Sequence, residues 1–198
     1  MNNNRQILIA VVAAAAVLIL GLLVVQMGGG PSSAPPAETT LTPLPGDFRS
    51  LVQRGNELYQ QGDFAGAIAA YQAALQQKPD DLVARVNLGN AYLNLDRYDD
   101  AVREFQAALQ TQPDDAETHS NLGVAYFRQG RLDEAGKEFQ EALRLKPDLA
   151  EAHYGLGALY AQRGDKDNAI AEFEQVLKLT TDPTLKSEAQ RQLQELRK

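Results

Sequence analysis

The stretch ARVNLGNAYLNLDRYDDA at 84–101 returns as THSNLGVAYFRQGRLDEA at 118–135, a displacement of 34 residues. Aligned at that period, residues 48–183 divide into four units: 48–81, 82–115, 116–149 and 150–183. Unit position 8 is Gly55, Gly89, Gly123 and Gly157, and position 20 is Ala67, Ala101, Ala135 and Ala169. Position 24 is Tyr71, Phe105, Phe139 and Phe173, and position 28 is Leu75, Leu109, Leu143 and Leu177. Position 32 is Pro79, Pro113, Pro147 and then Thr181, with the proline displaced to Pro183. A short unit repeated at a fixed period cannot bury its apolar face alone and stacks on its neighbours instead. Apolar residues at positions 7, 8, 10 and 11, and again at 20, 24, 27 and 28, have helical spacing. Each unit therefore holds two amphipathic helices.

The other columns say how the helices meet. Gly at position 8 and Ala at position 20 lack bulk and allow close approach, a gain that offsets the penalty of about 1 kcal/mol for glycine within a helix. Position 15 holds Gly62, Asp96, Gly130 and Gly164 and suits a turn residue with positive φ. Proline at 32 ends the second helix, and the acidic residues after it suit the start of the next. These columns resemble the tetratricopeptide repeat: a helix-turn-helix with L-G and Y in the first helix and A, F and P in the second. The resemblance implies an all-α, right-handed α-solenoid of four helix pairs with a concave groove. Arg54 at position 7 and Thr181 at position 32 depart from it, both in end units. The segment 184–198 carries Leu185, Ala189, Leu193 and Leu196 on one helical face and reads as a capping helix.

The resemblance also implies which residues face the groove, namely first-helix positions 2, 5, 6, 9, 12 and 13. The candidate partner-binding residues there are Asn56, Tyr59, Val86, Asn87, Asn90, Leu93, Asn121, Val124, Phe127 and Tyr154. Asn87 and Asn121 share position 6 and Asn56 and Asn90 share position 9, and a primary amide both donates to and accepts from a peptide backbone. The competing reading is that these amides bond water. Asn87, Asn90 and Asn121 are expected to be partly exposed. Repeats that grip the carboxylate end of cytosolic chaperones use Asn at positions 9 and 6, matched here by Asn56 and Asn87, and basic residues at positions 5, 2 and 6. Here those places hold Val52, Glu117 and Asn121, so that specialisation is disfavoured.

Nothing in the chain points to catalysis or to a cofactor. There is no Ser-His-Asp set, H-E-x-x-H or phosphate loop. His119 and His153 occupy position 4 of successive units and read as packing residues at repeat interfaces rather than a metal pair. The acidic pairs Asp80–Asp81, Asp99–Asp100 and Asp114–Asp115 read as helix caps. A net charge of −7 without a Lys/Arg run argues against nucleic acid, and the absence of cysteine removes disulfides and thiolate metal sites.

Residues 7–25 run nineteen positions without a charge, enough to span about 30 Å of hydrocarbon. With Met1 to Met27 read as an uncleaved transmembrane signal anchor, Arg5 places the amino terminus in the cytoplasm and the repeats outside it. Residues 28–47, with five Pro and four Gly, read as a flexible spacer. The whole describes a membrane-tethered adaptor that takes a protein or extended peptide in its groove. The Ala-rich anchor has a bacterial look, which places the chain in an inner membrane facing the periplasm. The alternative from another class is a non-catalytic accessory subunit of an envelope enzyme or secretion machine, docking through its convex face and anchor helix.

Overall fold

The structure is a computed structural model that describes residues 46–198. The expected transmembrane helix and nearly all of the spacer fall outside these residues. The described residues form nine helices and no strand: α1 Phe48–Gln60, α2 Phe64–Gln77, α3 Leu82–Asn94, α4 Tyr98–Thr111, α5 Ala116–Arg128, α6 Leu132–Leu145, α7 Ala150–Gln162, α8 Lys166–Leu179 and α9 Pro183–Leu196. None of them is long and apolar enough to cross a membrane.

Six of the nine described helices start on an aspartate cap, whereas α4, α6 and α7 start at Arg97, Arg131 and Leu149 without a side-chain cap. The side chains of Asp47, Asp81 and Asp115 accept from the backbone N–H of Ser50, Ala84 and Thr118, satisfying donors that the first turn leaves open. Asp63, Asp165 and Asp182 do the same at α2, α8 and α9. Asp47, placed in the spacer by composition, is thus the cap of α1. Asp99 and Asp100, expected as caps, instead lie in the first turn of α4, where carboxylates favour the helix dipole, and the cap residue Arg97 makes no side-chain capping bond. The turn at position 15 has φ of 79°, 76° and 78° at Gly62, Gly130 and Gly164, and Asp96 adopts the same left-handed conformation at 56°. Aspartate is among the few residues that tolerate it.

The helices pack in pairs, α1 with α2, α3 with α4, α5 with α6 and α7 with α8, and each pair stacks on the next. The first helices also touch one another, α1 with α3, α3 with α5 and α5 with α7. They form the more closely nested layer of an all-α solenoid, with the second helices outside. Along its centre run the rings of position 24: Tyr71, Phe105, Phe139 and Phe173 are each at most 1% exposed. A Cβ on Gly123 would lie 2.7 Å from the Phe139 ring, and one on Gly155 2.4 Å from it. Phe139 therefore fills the space that a glycine of its own repeat and a glycine of the next leave open. Helix α9 closes the last pair with Leu185, Ala189 and Leu193 buried against α8 and its neighbours. Arg54, which has no preceding repeat to pack on, is exposed.

Candidate functional site

Four of the ten groove candidates, Asn56, Tyr59, Val124 and Phe127, are half-buried and reach the surface of the first-helix layer. The other six are buried: Val86, Asn87, Asn90, Leu93, Asn121 and Tyr154. The expectation that Asn87, Asn90 and Asn121 are partly exposed is therefore corrected, since they retain 8%, 0% and 2% of their surface. The cause is the seam between repeats. Position 9 of one first helix meets position 6 of the next, as in the bond of 3.1 Å from Asn87 Nδ2 to Asn56 Oδ1. The position-24 ring of the earlier repeat closes the seam from behind, as Phe139 does at Gly155. A side chain in that place serves the interface before it can serve a ligand.

At the first seam the polar groups are mutually satisfied. Tyr71 donates its hydroxyl proton to Asn56 Oδ1 at 2.7 Å, beside the Asn87 bond. Asn94 Nδ2 donates to the Tyr59 hydroxyl at 2.7 Å and to the Asn90 carbonyl at 2.9 Å. Burial pushes the Tyr59 phenol up to about 12, with the Asn94 bond acting in the opposite direction. These bonds hold one wall of a cleft of about 940 Å³ between α1 and α3, lined by Phe48, Val52, Asn56, Gln60, Val83 and Asn87. Val83 is 37% exposed, and Lys78 lies over the Phe48 ring at 4.4 Å from its centroid. Its lining thus sets the apolar Phe48, Val52 and Val83 among the amides of Gln53, Asn56, Gln60 and Asn87 and the charged Asp47, Arg49, Glu57, Lys78 and Asp81. Such a surface can pack an aliphatic side chain and hydrogen-bond its backbone.

Further along, Arg128 donates to Asp96 Oδ1 at 2.8 Å and to the Tyr98 hydroxyl, joining the second repeat to the third. Burial raises the Glu151 carboxyl above the usual range, and Glu117 and Asp182 add to the shift against Lys146. Tyr154 donates to Glu188 at 3.4 Å, and Glu188 also pairs with Arg191 and accepts from Gln192. Burial first, then the Glu188 charge, raises the Tyr154 phenol. Val83, Asn94 and Glu188 did not emerge from the sequence. The first two occupy groove positions 2 and 13, a signal present in the columns, whereas the burial of Glu188 follows only from where α9 docks.

The histidines are bound rather than free. His153 Nδ1 lies 2.6 Å from Glu172 Oε2 and Nε2 lies 3.0 Å from the Pro147 carbonyl. His119 repeats the pattern with Glu138 at 2.7 Å and Pro113 at 2.8 Å. Arg85 pairs with Glu104 at 2.9 Å in the same column. Both atoms facing His153 are acceptors, so only the doubly protonated ring donates to both. The Glu172 carboxylate raises the His153 pKa above its ordinary 6.5, partial burial opposes the shift, and the Pro147 carbonyl assists it. A pKa raised on folding stabilises in full below the unfolded value of about 6.5 and fades as pH climbs through the folded value. His153→Gln should therefore lower Tm at pH 6, and the difference from wild type should shrink by pH 9. Thermal melts at the two pH values check this, and a difference that grows with pH would refute it. Among the described residues no group of three or more His, Cys, Asp or Glu could hold a metal ion.

This geometry of sequential helix pairs has counterparts among known proteins. The chain is similar to a thermophilic repeat protein of Thermus thermophilus, at 26% identity over 75% of this chain and 80% of that one, with a TM-score of 0.67. It is similar to MamA of Desulfovibrio magneticus RS-1, at 27% identity over 67% and 75%, with a TM-score of 0.62. It also resembles the first repeat domain of Spaghetti (RPAP3), solved bound to the HSP90 peptide SRMEEVD, at 25% identity over 60% and 94%, with a TM-score of 0.57. No curated protein sequence matches the chain at a significant level. A family model described as Tetratricopeptide repeat matches residues 52–116 and again 86–150, and a second of the same description matches 126–193. The columns, the stacked helix pairs and these matches agree, and the chain belongs to the tetratricopeptide repeat family.

Proposed function

We propose that this chain is a membrane-tethered adaptor that takes a protein, in the form of an extended peptide segment, along its first-helix layer. Tetratricopeptide repeats generally mediate protein–protein interactions and are typically non-catalytic. The observation that carries the reading is the cleft of about 940 Å³ between α1 and α3, where exposed Val83 stands beside Asn56 and Phe48. With Asn87, Asn90 and Asn121 engaged in the seams, the contacts to a partner fall to the accessible residues: Val52, Asn56, Tyr59, Val83, Val124 and Phe127. The repeat domain of RPAP3, a similar fold, was solved with a peptide, which supports a peptide ligand here. The tether rests on the uncharged run at 7–25, and its orientation, with the repeats outside the cytoplasm of a bacterial cell, rests on Arg5.

One fractionation experiment tests both parts. The full-length chain, Val83→Arg, Gln140→Arg and a chain lacking residues 1–27 are each cross-linked in native membranes and separated into pellet and supernatant. Gln140 is exposed on α6, in the outer layer. The three full-length chains should stay with the pellet and the truncated one should move to the supernatant. Val83→Arg should lose the cross-linked partner because a long charged side chain replaces one of the three apolar contacts of the cleft, and Gln140→Arg should keep it. Loss with Gln140→Arg instead would transfer the function to the outer face, in favour of an accessory subunit. A truncated chain that remains in the pellet would remove the tether.

A further inference from the structure

The repeats invite a comparison with one another, seam by seam. At the first seam Asn56 accepts from both Tyr71 and Asn87. One period on, Asn90 and Asn121 stand where Asn56 and Asn87 stood, and position 24 is Phe105, which has no hydroxyl. The amide of Asn90 is wholly enclosed and neither its Nδ2 nor its Oδ1 has a partner. Asn121 Nδ2 is also enclosed and unpartnered. Thr118, fully buried, has an unpartnered hydroxyl at position 3, and Ala84 and Ala152 fill that position in the flanking repeats. Ala152 clusters with Ala142 of the preceding repeat, so position 3 faces back across a seam and Thr118 faces Ala108. Asn90 Nδ2, Asn90 Oδ1, Thr118 Oγ1 and Asn121 Nδ2 are the unpartnered buried side-chain atoms among the described residues. All four belong to the seam between the second and third repeats.

The third seam shows what the chain does when it has no amide to satisfy. There position 9 is Val124 and position 6 is Gly155, and the Phe139 ring fits against the glycine. Enclosing a donor or acceptor without a partner costs roughly tenfold or more in the equilibrium between closed and open, because water satisfies it whenever the seam parts. Arg128, Gln129 and Gln106 also bridge this second seam, to Asp96 and Tyr98, to Asp99 and to Tyr126, but exposed or half-buried bonds of that kind are worth only about a few-fold each and are outweighed by four enclosed atoms. In a linear array the weakest interface decides where the stack separates.

We propose that the array has a built-in opening point at this second seam, where α1 to α4 part from α5 to α9 as two blocks. Opening hydrates the four atoms and changes the angle between the α1–α3 cleft and the Val124–Phe127 surface, so the groove is articulated rather than rigid. The inference does not depend on what binds the groove.

The chain contains no cysteine, so one introduced thiol reports one seam. Ala108 and Ala142 are both fully buried at equivalent places on the second and third seams. Under native conditions a full-length chain with Ala108→Cys should react with a thiol reagent about tenfold faster than one with Ala142→Cys. Adding Phe105→Tyr supplies the hydroxyl that Tyr71 gives Asn56, and should slow the Ala108→Cys reaction about tenfold. Adding Asn90→Ala, which copies Ala158 of the fourth repeat, should slow it as well. Neither should alter Ala142→Cys. Equal rates at the two seams, or an Ala108→Cys rate that both second substitutions leave unchanged, overturns the proposal. Because Asn90→Ala adds no atoms to the core, it decides the matter even if Phe105→Tyr fails to pack.

Discussion

Phe139→Ala should lower the unfolding free energy by about 3–5 kcal/mol, the range for removing a fully buried aromatic ring. The ring is 1% exposed and lies between the bare backbone of Gly123 in its own repeat and that of Gly155 in the next. Its removal leaves a void walled by main chain on two sides. Helical backbone cannot collapse into it as flexible side chains can, which places the cost toward the upper end. Against a total of about 5–15 kcal/mol, that is a large fraction of the stability of the domain. Thermal denaturation followed by circular dichroism should show Tm falling by roughly 10 °C. A change equivalent to less than about 1 kcal/mol would mean that the ring column does not carry the stacking.

Gly123→Leu attacks the same contact from the other side. Its Cβ alone would come within 2.7 Å of Cδ1 and Cε1 of Phe139, and the rest of the leucine has nowhere to go without parting α5 from α6. Overpacking of a filled core costs about 1–3 kcal/mol and more when backbone has to move. The gain in helix propensity from replacing glycine, about 1 kcal/mol, opposes this and does not cancel it. The double variant Gly123→Leu with Phe139→Ala should be more stable than the sum of the single losses implies, because the leucine enters the space the ring vacates. Denaturant unfolding of the four chains gives the coupling energy, and strict additivity would show that the two residues do not meet.

The repeat period, the helix pairs, the turn at position 15, the caps Asp81 and Asp115 and the apolar face of α9 were legible in the sequence, because each follows from local spacing, whereas Asp47 reads as spacer and Asp99 and Asp100 read as caps, which they are not. Asp96 is the telling case. It breaks the glycine column and still takes positive φ, since the turn geometry is set by the helices on either side. The candidate site was legible only in part. Position numbers assigned Asn87, Asn90 and Asn121 to the groove, yet whether a side chain at position 6 or 9 reaches solvent depends on how tightly adjacent repeats close over it. That closure is set by the rings of position 24, which sit on other helices. Glu188 was beyond reach for the same reason. Its burial depends on α9 docking so that Tyr154, a full period earlier, meets it.

The fit of each ring against glycine backbone also gives the chain a grammar of permissible edits. Gly89 accommodates the Phe105 ring, Gly123 the Phe139 ring and Gly157 the Phe173 ring, and all are spaced by the same 34 residues. Excision of one whole period, such as 82–115, leaves every remaining ring opposite the glycine of its own repeat, whereas excision of a residue between Gly123 and Phe139 parts that ring from its glycine. The permitted splice has a further result. Joining the first repeat directly to the third sets Asn121 beside Asn56 and Tyr71, so the amide left without a partner at the second seam inherits the partners that Asn87 has at the first. The amide mismatch is therefore a property of neighbours rather than of residues, and reordering intact modules erases it without changing a single side chain in those that remain, while the Thr118 hydroxyl still meets an alanine, Ala74.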